Sequence, residues 1–103
     1  MSTEFVEDIS IDEKIEKTTK EPGKYKIIFL NDNATPMDWV IDVLKTIFHH
    51  SQEISEKITL QIHNEGSAIV GIYSWEVAEQ KAVETTTASR DRGFPLQLKV
   101  EEE

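Results

Sequence analysis

Residues 25–48 read YKIIFLNDNATPMDWVIDVLKTIF, and the change of period inside that stretch decides the fold. The apolar run Ile27, Ile28, Phe29 and Leu30 is short enough for a buried strand over about Tyr25–Leu30. Seven residues then interrupt it: Asn31, Asp32, Asn33, Ala34, Thr35, Pro36 and Met37, which compress a polar loop, a helix start and an exposed thioether. Thr35 is placed to cap the next helix, Pro36 suits its first position, and Asp38 stands where a capping-box carboxylate reaches back. Past Met37, the side chains of Val40, Val43, Leu44, Ile47 and Phe48 recur at helical spacing and fade at His49 and His50. A carboxylate and two amides thus stand beside an apolar helix face, which suits a ligand with a cationic head and an apolar tail.

Working outward, Ser51 is a cap for a second helix in which Ile54, Ile58 and Ile62 recur every fourth residue. Gly66 reads as the glycine that ends it, which puts His63 in the last turn. Ser67–Tyr73 is a second strand, carrying Ala68, Ile69, Val70 and Ile72. Ser74 caps a third helix to about Ser89, with Val77, Ala78, Ala82 and Thr85 inward; Gly93 and Pro95 punctuate. Leu96, Leu98 and Val100 then alternate as a third strand. The order is β-α-α-β-α-β without internal repeat, a small α+β sandwich with helices on one face of the sheet. Upstream, residues 1–23 hold seven acids and three lysines (Lys14, Lys17, Lys20) and end in the breaker Glu21-Pro22-Gly23. They read as a disordered acidic extension, in which a helix around Phe5, Ile9 and Ile15 would be marginal, ahead of a core domain at 24–103.

A length of 103 residues supports one domain with one modest core, and a hydrophobic fraction of 38% leaves part of the chain outside it. Twenty acidic against eleven basic residues give a net charge of −9, which repels phosphate backbones and favours a cationic ligand or a basic partner over nucleic acid. With no cysteine there is no disulfide framework, thiolate metal site or cysteine nucleophile, which fits a reducing cytoplasm. No window approaches 18 apolar residues, so no membrane helix is expected, and the N-terminus lacks the basic–apolar–small pattern of a secretory signal.

Each candidate constellation has a plainer reading beside it. Asn/Asp clusters before a helix are commonly turn and cap chemistry. His63 either favours the negative end of its helix or points an imidazole nitrogen at a ligand. Met37 and Val40, one turn apart, are either core or the mouth of a pocket. His49 and His50 are adjacent and face different sides, and with His63 they match no metal-ligand spacing. There is no Gly-rich phosphate loop, nucleophile elbow or His-Glu-x-x-His, and an Asp32–His63 acid–base pair lacks a nucleophile to serve. Binding without catalysis, cofactor or metal is the expectation.

Residues 25–100 resemble the ClpS adaptor family of the bacterial Clp protease, which recognises N-degrons. The resemblance is carried by Tyr25-Lys26-Ile27-Ile28, Asn31-Asp32, Thr35-Pro36-Met37, Val40-Ile41-Asp42-Val43-Leu44, His63, Gly66, Gly71, Glu76-Val77-Ala78-Glu79, Lys81 and Pro95-Leu96. It implies a three-stranded antiparallel sheet packed against three helices. It also implies a monomeric, cytoplasmic, non-catalytic adaptor that binds proteins whose first residue is Leu, Phe, Tyr or Trp and hands them to a Clp AAA+ unfoldase. On that resemblance Asn31 and His63 bond the substrate's α-amino group, with Asp32, Asn33 and Thr35 in the same amine-reading loop. Met37, Val40, Thr59, Ile62 and Leu96 form the pocket for the first side chain, with Met37 excluding β-branched residues. Glu76 and Lys81 dock on the unfoldase's N-terminal domain, and the tail serves handover.

Three positions depart from the family's pattern. Asn33 stands where a second aspartate is common, so the loop carries less charge. Ala34 replaces an aromatic residue, and Thr59 replaces a larger apolar one, which would widen or polarise the pocket floor. A module that docks on an ATPase through Glu76 and Lys81 without reading N-termini is the alternative; a small metal enzyme using Asp32 with the histidines is a third.

Overall fold

A computed structural model describes residues 23–103. The expected extension at 1–23, and the marginal helix within it, lie outside the described residues apart from Gly23. The elements are β1 (Tyr25–Leu30), α1 (Met37–Thr46), α2 (Gln52–Glu65), β2 (Ser67–Tyr73), α3 (Trp75–Asp91) and β3 (Gln97–Glu102), in the order read from the sequence. β1 is the central strand of a sheet ordered β2-β1-β3 and is antiparallel to both neighbours. Side chains alternate across a strand, so Ile27 and Phe29 point to one face, and both are fully buried there. They meet Val40, Val43, Leu44 and Phe48 from α1 and its end, Ile62 from α2 and Ala78 from α3 in a single core.

The pairing of β1 with β2 slips by one residue: Ile27 faces Gly71, but Ile28 faces Ile69. Val70 is the extra residue of this bulge, and it is buried. Its carbonyl accepts a hydrogen bond from His50 Nε2 at 2.6 Å, so the chain leaving α1 is tied to the irregular part of the sheet. A carbonyl only accepts, which fixes the proton on Nε2. Gly71, beside the bulge, leaves room for the ring of Tyr73, which would have to move if a Cβ were added there.

Several expected details shift. α1 starts at Met37 with Pro36 as its N-cap and no capping side chain, so Thr35 does not cap it. Both the hydroxyl and the N–H of Thr35 are taken by Asp32 instead. α1 also ends at Thr46, before His49, which turns the chain with a left-handed φ of 61°. Ser51 does cap α2, its hydroxyl accepting from Ile54 N–H at 3.2 Å, and the left-handed Gly66 (φ 92°) ends that helix. Ile54 and Val77 are exposed, so neither belongs to the inward face that the spacing suggests. α3 runs two residues further than expected, and β3 begins one residue after Leu96.

Candidate functional site

The loop after β1 is organised by one carboxylate. Asp32 Oδ1 accepts from Ala34 N–H at 2.8 Å and Thr35 N–H at 2.7 Å, and Oδ2 accepts the Thr35 hydroxyl at 2.8 Å. Such a side-chain-to-backbone turn ties the loop together ahead of α1, although its bonds stop at Thr35 and leave the first N–H groups of the helix without a side-chain cap. Burial pushes the Asp32 carboxyl up, but the three hydrogen bonds and the nearby Arg90 charge outweigh it and hold the group below its ordinary 3.8.

Next to Asp32, the N–H of Asn31 donates to Gly66 O at 2.9 Å. This bond joins the loop to the end of α2, three residues beyond His63, and so brings two distant polar side chains to one place. The first turn of α1 adds Met37 and Val40, and the inner face of α2 adds Thr59 and Ile62. Leu96, delivered by the turn after α3, is 1% exposed and belongs to both the core and this site.

The result is a small cavity of about 20 Å³, room for roughly one water. Its polar rim is Asn31, Asp32, Thr35 and His63; its apolar lining is Met37, Val40, Ile62 and Leu96, with Thr59 and Leu30. Nine sequence-nominated residues therefore converge on one cavity. Asn33 does not line it and is exposed on the outside of the loop. Leu30 also borders the cavity, although alternation in β1 puts it on the face opposite Ile27 and Phe29. Thr59 is less polar toward the cavity than its type suggests, because its hydroxyl donates to Ser55 O at 2.8 Å within its own helix.

Glu76 and Lys81 lie apart from the cavity on α3. Glu76 is exposed, whereas Lys81 is half-buried. The Lys81 ammonium donates to Ile47 O at 2.7 Å, at the C-terminal end of α1, and stands 5.7 Å from the Phe48 ring centre and 5.4 Å from that of Tyr73. Among the described residues no three His, Cys, Asp or Glu side chains group as a metal site. None of the described helices is long and apolar enough to cross a membrane.

Chemically, the rim offers carbonyl, carboxylate and imidazole groups able to accept from a three-donor ammonium, set directly over an apolar lining.

The sequence model described as "ATP-dependent Clp protease adaptor protein ClpS" matches residues 20–99. The chain is 47% identical over 81 residues to the ATP-dependent Clp protease adapter protein ClpS of Treponema denticola, covering 79% of this chain and 80% of that one. It is 48% identical over 83 residues to that of Campylobacter jejuni (81% and 86% covered), and 38% identical over 101 residues to that of Leptospira biflexa (98% and 89%). Among solved structures it resembles Agrobacterium tumefaciens ClpS2 bound to L-phenylalaninamide, with a TM-score of 0.77, 37% identity, and coverage of 81% of this chain and 100% of that one. With its fold and sequence alike matching, the chain belongs to the ClpS family of ATP-dependent Clp protease adaptor proteins.

Proposed function

We propose that this chain is a non-catalytic adaptor that reads the free first residue of N-degron proteins and delivers them to a Clp AAA+ unfoldase. The observation that carries the reading is the convergence of an acceptor rim and an apolar lining on one cavity. The structural neighbour's ligand, a phenylalanine whose α-amine is free and whose carboxyl is capped, has the chemistry such a site would take. Asn31, Asp32 and His63 receive the ammonium, with Thr35 holding Asp32. Met37, Val40, Thr59, Ile62 and Leu96 receive a Leu, Phe, Tyr or Trp side chain.

An α-ammonium has a pKa of about 8 and is mostly charged at neutral pH. Each hydrogen bond to it contributes roughly 1.5–3 kcal/mol, and burying a Leu or Phe side chain about 1.5–3 kcal/mol. After the cost of association this supports micromolar or tighter binding. The same side chain in mid-sequence lacks the ammonium and is rejected, so no bond needs to be broken for selection. Because the cavity is only about 20 Å³, the first side chain enters by displacing the flexible Met37 thioether at its mouth.

Glu76 and Lys81 form the docking face for the unfoldase's N-terminal domain, and residues 1–23 act in handover. The adaptor works as a cytoplasmic monomer. The test is a pair of peptides beginning with Phe or Leu, one with a free amine and one N-acetylated. Only the free form binds; equal binding of both overturns the reading. Binding of neither, together with unfoldase capture that survives Asp32→Ala and His63→Ala, makes the chain a docking module instead.

A further inference from the structure

Leu96 is the only pocket residue that arrives from the far side of α3, and its position depends on a turn, not on a ladder. α3 ends with Gly93 N–H donating to Arg90 O at 3.0 Å and Phe94 N–H to Ser89 O at 2.9 Å, the left-handed Gly93 (φ 76°) closing the motif. β3 begins only at Gln97. Between the two, the carbonyls of Phe94 and Leu96 have no strand partner. Arg90 supplies one: its Nη1 donates to Phe94 O at 3.0 Å and Leu96 O at 2.9 Å, and lies 3.2 Å from Ser89 Oγ. Ser89, itself buried, donates its hydroxyl to the same Phe94 O at 2.9 Å. The Phe94 ring packs edge-on to Trp39 with centroids 5.2 Å apart. Trp39 lies between Met37 and Val40 in α1, so one turn is held to α3 through its carbonyls and to the pocket helix through its ring.

We infer that Arg90 is a positioning residue that sets the width of the first-residue pocket by holding the turn that delivers Leu96. A guanidinium suits the task because its fixed planar donors reach two carbonyls without titrating. Arg90 touches no substrate. It acts through Leu96, and a loosened Leu96 wall costs a snug aliphatic side chain more contact than a large ring that fills the space regardless. The inference rests on the reading of the cavity as a first-residue pocket.

The experiment compares wild type with Arg90→Ala for fluorescent peptides beginning with Leu, Phe, Tyr and Trp, alongside amide hydrogen exchange over residues 92–98. Leu affinity is expected to fall about tenfold and Trp affinity less than about threefold, the scale of two charge-assisted bonds partly replaced by water. Exchange in the turn accelerates while that of α2 does not. A common loss for all four peptides assigns Arg90 to charge or overall stability and overturns the inference, as does unchanged selectivity. If Arg90→Ala melts below assay temperature, Arg90→Lys is read in its place. Its single point donor loosens the clamp without removing it, and the same selectivity shift is expected, but smaller. Wild type that binds none of the four peptides defeats the pocket reading and the selectivity inference with it, while the exchange data still report whether Arg90 holds the turn.

Discussion

Thr35 gives both of its donors to Asp32: the backbone N–H to Oδ1 at 2.7 Å and the hydroxyl to Oδ2 at 2.8 Å. The residue that looked like a helix cap is therefore part of the support for a carboxylate, and α1 begins one residue later without a side-chain cap. An ammonium placed on this rim meets an acceptor whose orientation is already fixed, which lowers the ordering cost of binding.

Asp32→Asn separates charge from loop geometry. An amide oxygen still accepts the two N–H bonds, but the amide nitrogen cannot accept the Thr35 hydroxyl, and the negative charge is gone. Affinity for a Phe-initiated peptide is expected to fall about tenfold or more, the scale of a charge-assisted bond, with the circular dichroism spectrum unchanged. Thr35→Val removes only the hydroxyl and is expected to cost a smaller factor, measured by fluorescence anisotropy on the same peptide.

The pH dependence follows from two groups with opposite signs. Burial raises the Asp32 carboxyl, but the hydrogen bonds from Ala34 and Thr35 and the Arg90 charge hold it below 3.8. Its contribution to stability is thus present above about pH 4 and lost as pH falls through the lower folded value. The ligand's ammonium loses its proton near pH 8, so affinity declines above that. Calorimetric titration from about pH 7 to 10 is expected to show affinity falling above about pH 8 as the ammonium loses its proton. Affinity that persists undiminished at pH 10 would remove the ammonium from the account.

Asn33 is exposed and does not line the cavity. A charge placed there acts through solvent, not by contact, and such interactions are weak and salt-sensitive. Asn33→Asp is expected to tighten free-amine peptide binding by no more than about fivefold at low salt, with the gain largely erased at 0.5 M salt. A larger, salt-resistant gain would mean that the loop rearranges to bring residue 33 into the site.

Much of this arrangement was legible in the sequence, and the misses share a cause. Periodicity located β1 and the inner face of α1 because Ile27, Phe29, Val40, Val43 and Leu44 are all buried against one another, so local pattern and tertiary packing agree. Thr35 does not cap because its hydroxyl is turned back as a donor to the Asp32 carboxylate three residues earlier. Ile54 and Val77 keep the helical spacing but are exposed, since spacing alone does not say which side chains a neighbouring element covers. The bulge at Val70 leaves no local signature, since it depends on pairing with β1 and on His50 twenty residues away. Arg90 near a helix C-terminus reads as a dipole partner, and nothing nearby announces that it reaches forward to Leu96 O.

Met37 is 38% exposed, so truncating it costs the fold little. Met37→Ala is expected to shift stability by under about 0.5 kcal/mol while opening the mouth of the cavity. Peptides beginning with Ile or Val, which the wild type is expected to exclude, are then expected to bind within about tenfold of Leu, since the lost selectivity is that of one or two methylene-sized contacts. Wild type that already binds Ile and Val as well as Leu would take the gatekeeper role away from Met37.

Glu76 and Lys81 make different demands on any test of docking. Glu76 is exposed at the start of α3, and its replacement touches nothing in the core. Lys81 caps α1 through Ile47 O and lies against the Phe48 and Tyr73 rings, so its removal also strips a carbonyl partner and two ring contacts from the fold. Glu76→Lys is expected to leave the melting temperature unchanged and to abolish capture by the isolated N-terminal domain of the unfoldase. Lys81→Ala is expected to weaken capture and also to destabilise the chain by about 1–2 kcal/mol, from one charge-assisted hydrogen bond and two cation–ring contacts. Lys81→Arg retains the charge, the cap and the ring stacking, and is expected to restore stability. If it restores capture too, charge suffices at the interface; if it restores stability alone, the lysine's compact ammonium is itself what the partner reads. Free-amine peptide affinity is expected to stay within about twofold of wild type for Glu76→Lys, because α3's first turn contributes no residue to the cavity and well-separated substitutions act independently.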